Sequence, residues 1–187
     1  MKSWVREVLI TVGLAVAIYL IIQTSLQNSV VYDVSMQPTL LAGQRLIVIK
    51  PAYNFREPER GEIIIVRPPA DPNREFVKRL IGLPGDIIEV KGGTVYVNQV
   101  PLEEPYIKEK PRYTLAPVKI PEDNYFVLGD NRNNSSDSHL GWTVTRDHIV
   151  GWAWLRYWPL DKFGGAGSYY LKPQVSSRSA VTVIFWQ

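Results

Sequence analysis

The strongest constraint on the fold is a run of 19 residues near the start of the chain, residues 8–26, that contains no charged side chain. As an α-helix this run would extend about 28 Å, which is close to the hydrocarbon thickness of a bilayer. Lys2 and Arg6 precede it, so the positive-inside rule places the N-terminus in the cytoplasm and the later residues outside. We predict a short cytoplasmic lead at 1–7 and a transmembrane anchor at 8–26.

Two other interpretations of this run are weaker. A cleavable signal peptide would have a shorter apolar core followed by a small-residue cleavage site, and Gln27, Asn28 and Ser29 do not form a convincing one. An amphipathic helix lying on a membrane surface would need a polar face, which residues 8–22 lack. A retained anchor is therefore favoured.

The remainder of the chain favours strands. The whole chain of 187 residues has 14 Pro and 13 Gly, which break short runs of Val, Ile and Tyr every few positions. We predict a mainly antiparallel β domain at 27–160, with a small lobe around 91–122, and a C-terminal tail at 161–187. Residues 164–167 are interpreted as a flexible glycine linker, and residues 181–186 as an apolar end too short to span a bilayer.

Composition excludes several classes of function. The chain has no cysteine, so disulfides, zinc–thiolate sites and cysteine nucleophiles are impossible. Its net charge of +3 is scattered, and without a basic block interleaved with aromatic residues we expect no nucleic-acid partner. The small positive excess fits residence near anionic lipid. Neither H-E-x-x-H nor a spaced His–carboxylate cluster occurs, so we expect no metal and no cofactor.

A lysine in an apolar strand is the first candidate for chemistry. The run FVKRLIGLPGD, residues 76–86, predicts a strand that ends at a Pro-Gly turn. Neighbouring side chains of a strand point to opposite faces, so Lys78 and Arg79 cannot share one. A lysine that enters an apolar environment loses hydration, which favours its neutral, basic form. The alternative is an edge strand protected by charge.

A serine upstream offers a nucleophile for that base. Ser35 follows a short extended stretch, and Pro38 fixes a turn directly after it. A serine at a strand-to-turn junction can present its hydroxyl while its backbone N–H stays free to hold an oxyanion. Met36 and the aliphatic residues around Lys78 could form an apolar wall. The alternative for Ser35 is an ordinary turn or N-cap serine.

Four motifs occur in order behind the apolar run: SMQPTL at 35–40, RGEIIIV at 60–66, FVKRLIGLPGD at 76–86 and GDNRNNSSDS at 129–138. They resemble the extracytoplasmic boxes of type I signal peptidases, which are membrane-anchored Ser-Lys proteases. The resemblance runs from the anchor to about Trp158. It implies an antiparallel, partial-barrel β domain outside the plasma membrane, acting near the secretion translocon on signal peptides of exported preproteins. It also implies substrates with small residues at the first and third positions before the cleaved bond.

The resemblance assigns roles to individual residues. Ser35 would be the nucleophile, with its own backbone N–H in the oxyanion hole, and Lys78 would be the general base. Met36 would line the substrate pocket, and Ser135 would orient the lysine. Three further residues would give structural support, namely the ion pair of Arg79 with Asp130 and the carboxylate of Asp137.

Two positions depart from the family pattern. Asp33 stands where Ser or Gly is usual, and because its carboxylate would repel an oxyanion we expect it to point away. His139 stands where Arg is usual, so a contact between Asp137 and His139 would respond to pH. Neither departure touches Ser35, Lys78 or Ser135.

Several alternatives remain. A Ser-His-Asp triad could use Ser35 with His139 or His148, but no G-x-S-x-G elbow is present. A self-cleaving Ser-Lys repressor would carry a DNA-binding segment in place of the anchor. A non-catalytic, membrane-tethered β module that binds exported chains belongs to a different functional class, and Asp33 keeps it open.

Overall fold

The computed structural model describes residues 3–169, and the apolar segment predicted at 181–186 lies outside them. One long helix, α1 (Ser3–Ser25), begins the described chain. Its large apolar side chains from Val8 to Ile22 are exposed, and the helix is long and apolar enough to cross a membrane. Strand β1 begins at Leu26, which shortens the predicted anchor by one residue.

The main sheet is antiparallel and has eight strands. In spatial order they are β1 (Leu26–Val30), β2 (Arg45–Ile49), β11 (Ile149–Trp158), β3 (Ile63–Val66), β4 (Phe76–Gly82), β9 (Asn124–Leu128) and β10 (Val144–Thr145), with β12 (Gly164–Gly165) paired to β11. The sheet curls into a partial barrel with open edges. The predicted mainly antiparallel β class with one N-terminal apolar helix is therefore confirmed.

A smaller sheet covers one end of the domain. Its four strands, in spatial order, are β7 (Val100–Pro101), β6 (Thr94–Val97), β5 (Ile87–Lys91) and β8 (Leu115–Lys119). A four-residue helix, α2 (Ala52–Phe55), connects β2 to β3. The predicted lobe around 91–122 contains most of the small sheet, although the sheet itself begins earlier, at Ile87.

The centre of the main sheet positions the side chains of Lys78 and Arg79. β3 lies between β11 and β4 and all four of its residues are buried, as expected for a strand covered on both faces. It pairs with β4 in a register that sets Ile64 opposite Lys78 and Ile63 opposite Arg79. On the other side of β4, pairing with β9 includes Arg79 and residues that follow it, but not Phe76, Val77 or Lys78. This part of β4 therefore has an open edge.

The interpretation of residues 164–167 as a flexible linker was wrong. Gly164 and Gly165 form β12 against β11, and the carbonyl of Gly167 accepts a hydrogen bond of 3.0 Å from Arg79. Gly167 has a φ of 97°, and a Cβ there would lie 2.5 Å from Cγ2 of Thr39. Gly167 therefore allows a close approach that a side chain would block, and the packed domain extends through residues 164–167.

Candidate active site

Ser35 lies in a tight turn that follows β1. The N–H of Gln37 donates to the carbonyl of Val34 at 3.1 Å, and the N–H of Leu40 donates to the carbonyl of Met36 at 2.9 Å. Ser35 is only 4% exposed. Among the described residues its backbone N–H has no acceptor, so this donor is free to bind an incoming oxygen.

Lys78 is buried in the open-edged part of β4. It is 1% exposed, and its Nζ donates a hydrogen bond of 3.0 Å to Oγ of Ser135. Burial lowers the pKa of Lys78 below its ordinary value, against the opposing effects of Asp137, Asp33 and Asp130. Lys78 therefore loses a proton more readily than a solvated lysine does, and the neutral amine that remains is the form a general base needs.

Ser35 and Lys78 line one elongated cavity of about 750 Å³. One wall comes from β1 and the turn after it, and the other from the beginning of β4 and the loop before it; the lining residues are 27–33, 35, 36 and 73–78. Within this described region no hydrogen bond joins Oγ of Ser35 to Nζ of Lys78. Met36 lines the cavity from within the core, at 1% exposure.

Gly129 brings the two serines together. A Cβ at this position would lie 2.5 Å from the carbonyl oxygen of Ser35 and would also collide with Oγ of Ser135. Asn131, in the same loop, holds the turn that contains Ser35, since its N–H donates to the Ser35 carbonyl at 2.8 Å and its Nδ2 to the Val34 carbonyl at 3.1 Å. Sequence reasoning assigned no role to Gly129 or Asn131, although both stand in GDNRNNSSDS.

Arg79 leaves β4 on the face opposite Lys78. Its Nε and Nη2 donate to the two carboxylate oxygens of Asp130 at 2.8 and 2.7 Å, and both side chains are fully buried. Thr39 donates to Asp130 at 2.6 Å, and the ring of Tyr106 lies 3.9 Å from the guanidinium carbon. The Arg79–Asp130 pair therefore joins β4, the 129–138 loop and, through Thr39, the turn that contains Ser35.

Asp137 supports the same loop from inside. Its Oδ2 accepts a hydrogen bond of 2.8 Å from the N–H of Gly129, and its Oδ1 lies 2.6 Å from Nδ1 of His139. His148 instead contacts Oγ1 of Thr145 at 2.7 Å. Neither histidine lines the cavity that holds Ser35, so the arrangement does not support a Ser-His-Asp triad.

Asp33 lies on the cavity wall and is exposed. Its Oδ1 accepts a hydrogen bond of 2.6 Å from the N–H of Val34. In the described structure, neither of its oxygens accepts from the N–H of Ser35. The carboxylate therefore leaves that N–H available.

A second buried ion pair was missed from the sequence. Arg132, which is 0% exposed, donates to both carboxylate oxygens of Glu104 at 2.7 and 2.5 Å and to the Gly129 carbonyl at 3.0 Å. The pair fixes the 129–138 loop to the segment that follows the small sheet's β7. Only the position of Arg132 within GDNRNNSSDS could have indicated it, because Glu104 lies in no motif.

A curled antiparallel β domain behind an apolar helix, with a serine and a buried lysine in one cavity, fits the class of serine peptidases that use a lysine base. Comparison with known proteins agrees. The family described as "Signal peptidase, peptidase S26" matches residues 1–158. The chain therefore belongs to the signal peptidase family, and the resemblance seen in the four motifs is confirmed.

Two relatives and one solved structure illustrate the similarity of this chain to known proteins. A signal peptidase I of Leptolyngbya laminosa is 45% identical over 165 residues, which cover 84% of this chain and 81% of the relative. A signal peptidase I of Bacillus licheniformis is 36% identical over 86% of this chain and 90% of its own. A crystal structure of a signal peptidase I from Enterococcus faecalis V583 is 32% identical, with coverage of 52% and 97% and a TM-score of 0.44.

Family membership makes the chain a serine peptidase of signal peptides. The alternative of a non-catalytic, membrane-tethered module is not favoured.

Proposed function

We propose that this peptidase cleaves signal peptides from exported preproteins with Ser35 as nucleophile and Lys78 as general base. The observation that carries the proposal is the shared cavity, in which Lys78 is almost fully buried and Ser35 presents a free backbone N–H. A buried amine with a lowered pKa can accept the proton of a serine hydroxyl at moderate pH.

The reaction begins when Oγ of Ser35 attacks the scissile carbonyl and its proton passes to Nζ of Lys78. The N–H of Ser35 stabilises the oxyanion of the tetrahedral intermediate. Lys78 then gives this proton to the leaving amine, and the C–N bond breaks. Water, deprotonated by the neutral Lys78, hydrolyses the acyl-enzyme, and the proton returns to Ser35. Ser135 holds Nζ in position through its hydrogen bond of 3.0 Å.

The preprotein would bind as an extended strand in the cavity. β1 lies at the edge of the main sheet, and among residues 3–169 the Phe76–Lys78 part of β4 has no strand partner on the side away from β3. Both walls can therefore offer backbone hydrogen bonds to a peptide, which is strand addition. Met36, at 1% exposure, lines the cavity beside Ser35, where the small residues implied by the family resemblance would bind next to the cleaved bond.

The membrane setting belongs to the same proposal. Helix α1 would cross the lipid bilayer of the plasma membrane once, with Lys2 and Arg6 on the cytoplasmic side. The β domain would then lie outside, close to the translocon from which preproteins emerge. Because β1 follows α1 without a linker, the cavity wall starts at the end of the helix, which keeps the site near the membrane surface.

Cleavage by the full chain in liposomes tests this function. Wild type should cut a preprotein after a small residue, as sequencing of the new N-terminus would show, while Ser35→Ala and Lys78→Met should be inactive. Lys91→Met, at an exposed position, and Ser136→Ala are the matched controls and should cut normally. Full cleavage by Lys78→Met in folded protein would refute the assignment of the base.

A further inference from the structure

His139 occupies an enclosed position beside the active-site loop. It lies in a single 3₁₀ turn, Ser138–Leu140, that is capped by Asp137. Its Nδ1 is 2.6 Å from Oδ1 of Asp137, and the Tyr113 ring stacks on the imidazole with centroids 4.2 Å apart and planes 16° apart. Only 16% of the His139 side chain is exposed.

Asp137 connects this histidine to the reacting groups. Its second oxygen, Oδ2, holds the N–H of Gly129 at 2.8 Å, and Gly129 packs directly against Ser35 and Ser135. Ser135 in turn accepts the hydrogen bond from Lys78. Among the three carboxylates that favour the charged form of Lys78, Asp137 has the largest effect. A group that changes the charge or orientation of Asp137 therefore acts on Lys78.

We propose that His139 is a positioning residue for catalysis, which holds Asp137 in place and, when protonated, offsets the carboxylate charge that acts on Lys78. The proposal rests on the proposed role of Lys78 as general base. An arginine at this position would supply a permanent charge, whereas the imidazole supplies one that depends on pH.

The sign of the effect follows from the two forms of the imidazole. In both, Nδ1–H donates to Asp137, so the geometry of the loop is kept. In the neutral form the negative charge of Asp137 is uncompensated and favours protonated Lys78. The imidazolium offsets this charge and favours the neutral base. Loss of the imidazolium charge therefore strengthens the influence of Asp137 on Lys78 and favours the protonated amine.

The other ionisable groups around His139 leave Asp137 as the deciding charge. Tyr113 stays protonated, because burial and then Asp137 raise the pKa of its phenol. Behind it, Arg132 and Glu104 neutralise one another as a buried pair. Strand β9, against which the 3₁₀ turn packs, has Tyr125 as its single ionisable residue, and that hydroxyl contacts Glu57 instead.

The test is the pH dependence of kcat/KM for preprotein cleavage by the full chain in detergent. The acid limb of His139→Arg should lie at lower pH than that of His139→Asn, which keeps a donor but no charge, by about 0.5 to 1 unit, with wild type between the two. His148→Asn, at the other histidine, should superimpose on wild type. Acid limbs that coincide for folded wild type, His139→Arg and His139→Asn would overturn the proposal.

A second measurement uses wild type alone and does not depend on the folding of a variant. The ¹⁵N resonance of Lys78 Nζ and the imidazole resonances of His139, recorded on the same sample over a pH series, should show a common inflection, and the absence of a common inflection would overturn the coupling. Cleavage by Lys78→Met distinguishes a failure of the proposed function from a failure of the proposed role of His139. If Lys78→Met cleaves normally, both proposals fall, whereas inactive Lys78→Met together with unmoved His139 profiles overturns only this one.

Discussion

Lys78 and Arg79 are consecutive residues of β4 that leave the strand on opposite faces, and both are buried, at 1% and 0% exposure. The lysine has a cavity and a serine hydroxyl in front of it, whereas the arginine has a carboxylate bound at two atoms. Strand alternation therefore separates a cation that can lose its proton from one that cannot. One short motif therefore supplies both the proposed base, Lys78, and Arg79, which anchors the 129–138 loop through Asp130.

The Arg79–Asp130 pair should matter for stability. Asp130→Asn removes the counter-charge and leaves a fully buried guanidinium, which should lower the free energy of unfolding by about 3–5 kcal/mol. Urea unfolding of the full chain in detergent measures this. Glu109→Gln breaks an exposed ion pair with Arg112 and serves as the control, with an unchanged midpoint expected. Similar midpoints for the two variants would contradict the account.

Lys78→Met should separate activity from stability. Cleavage should fall by about 10³-fold or more, because the base is lost. The folded pKa of Lys78 is lowered by burial, so between that value and the ordinary one the unfolded chain binds more protons, and wild-type stability rises with pH. The variant lacks this penalty, so it should be more stable than wild type near neutrality, and the difference should shrink at alkaline pH.

Unfolding curves for wild type and Lys78→Met at neutral and alkaline pH give this difference directly. Lys91→Met changes an exposed lysine, at 56% side-chain exposure, and should show no such pH dependence. A stability gain for Lys78→Met that is constant across pH would mean that the methionine simply packs better, and that the lysine is not held neutral.

Adjacent serines allow a paired test of lysine orientation. Ser135→Ala removes the acceptor of the Lys78 hydrogen bond and should reduce kcat by about 10- to 100-fold, the rate equivalent of one buried hydrogen bond. Ser136→Ala changes the next residue, which is exposed, and should retain full activity. Equal kcat values for the two variants would exclude an orienting role for Ser135.

The contact at Gly129 should tolerate no side chain. In Gly129→Ala the new Cβ would meet the Ser35 carbonyl and the Ser135 hydroxyl, so the two turns must separate. We expect a loss of about 1–3 kcal/mol in stability and at least a tenfold loss of cleavage. Gly165→Ala is the control, because a Cβ added there would meet no atom within 4 Å. Normal cleavage by folded Gly129→Ala would contradict this packing.

Periodicity and motif order predicted much of this arrangement. The uncharged run predicted α1, and the Pro and Gly spacing predicted short antiparallel strands. The alternation of side chains along a strand predicted that Lys78 and Arg79 lie on opposite faces. These features are local, so they can be read from neighbouring residues. The linker interpretation of residues 164–167 failed because Gly164 and Gly165 pair with β11 and Gly167 packs closely against Thr39. Composition alone does not distinguish such glycines from flexible ones.

The contacts that hold the site together were not predictable in the same way. The Gly129 contact joins residues almost a hundred positions apart. The Glu104–Arg132 pair joins the lobe segment to the 129–138 loop, and the Tyr113–His139 stack joins it to the 3₁₀ turn that follows this loop. Each depends on the final placement of two separate turns. Membership of a motif does not indicate these contacts, because all partners of the Gly129 contact lie in motifs, only Arg132 of the ion pair does, and neither Tyr113 nor His139 does.

The identity of the nucleophile is the central claim, and covalent labelling measures it most directly. The full chain in detergent is treated with a serine-directed acylating probe, and the modified peptide is located by mass spectrometry. The account predicts one adduct, on Ser35, that is lost in Ser35→Ala and strongly slowed in Lys78→Met, while Ser136→Ala labels normally. An adduct on another residue, or no adduct in protein that still cleaves preprotein, would contradict it.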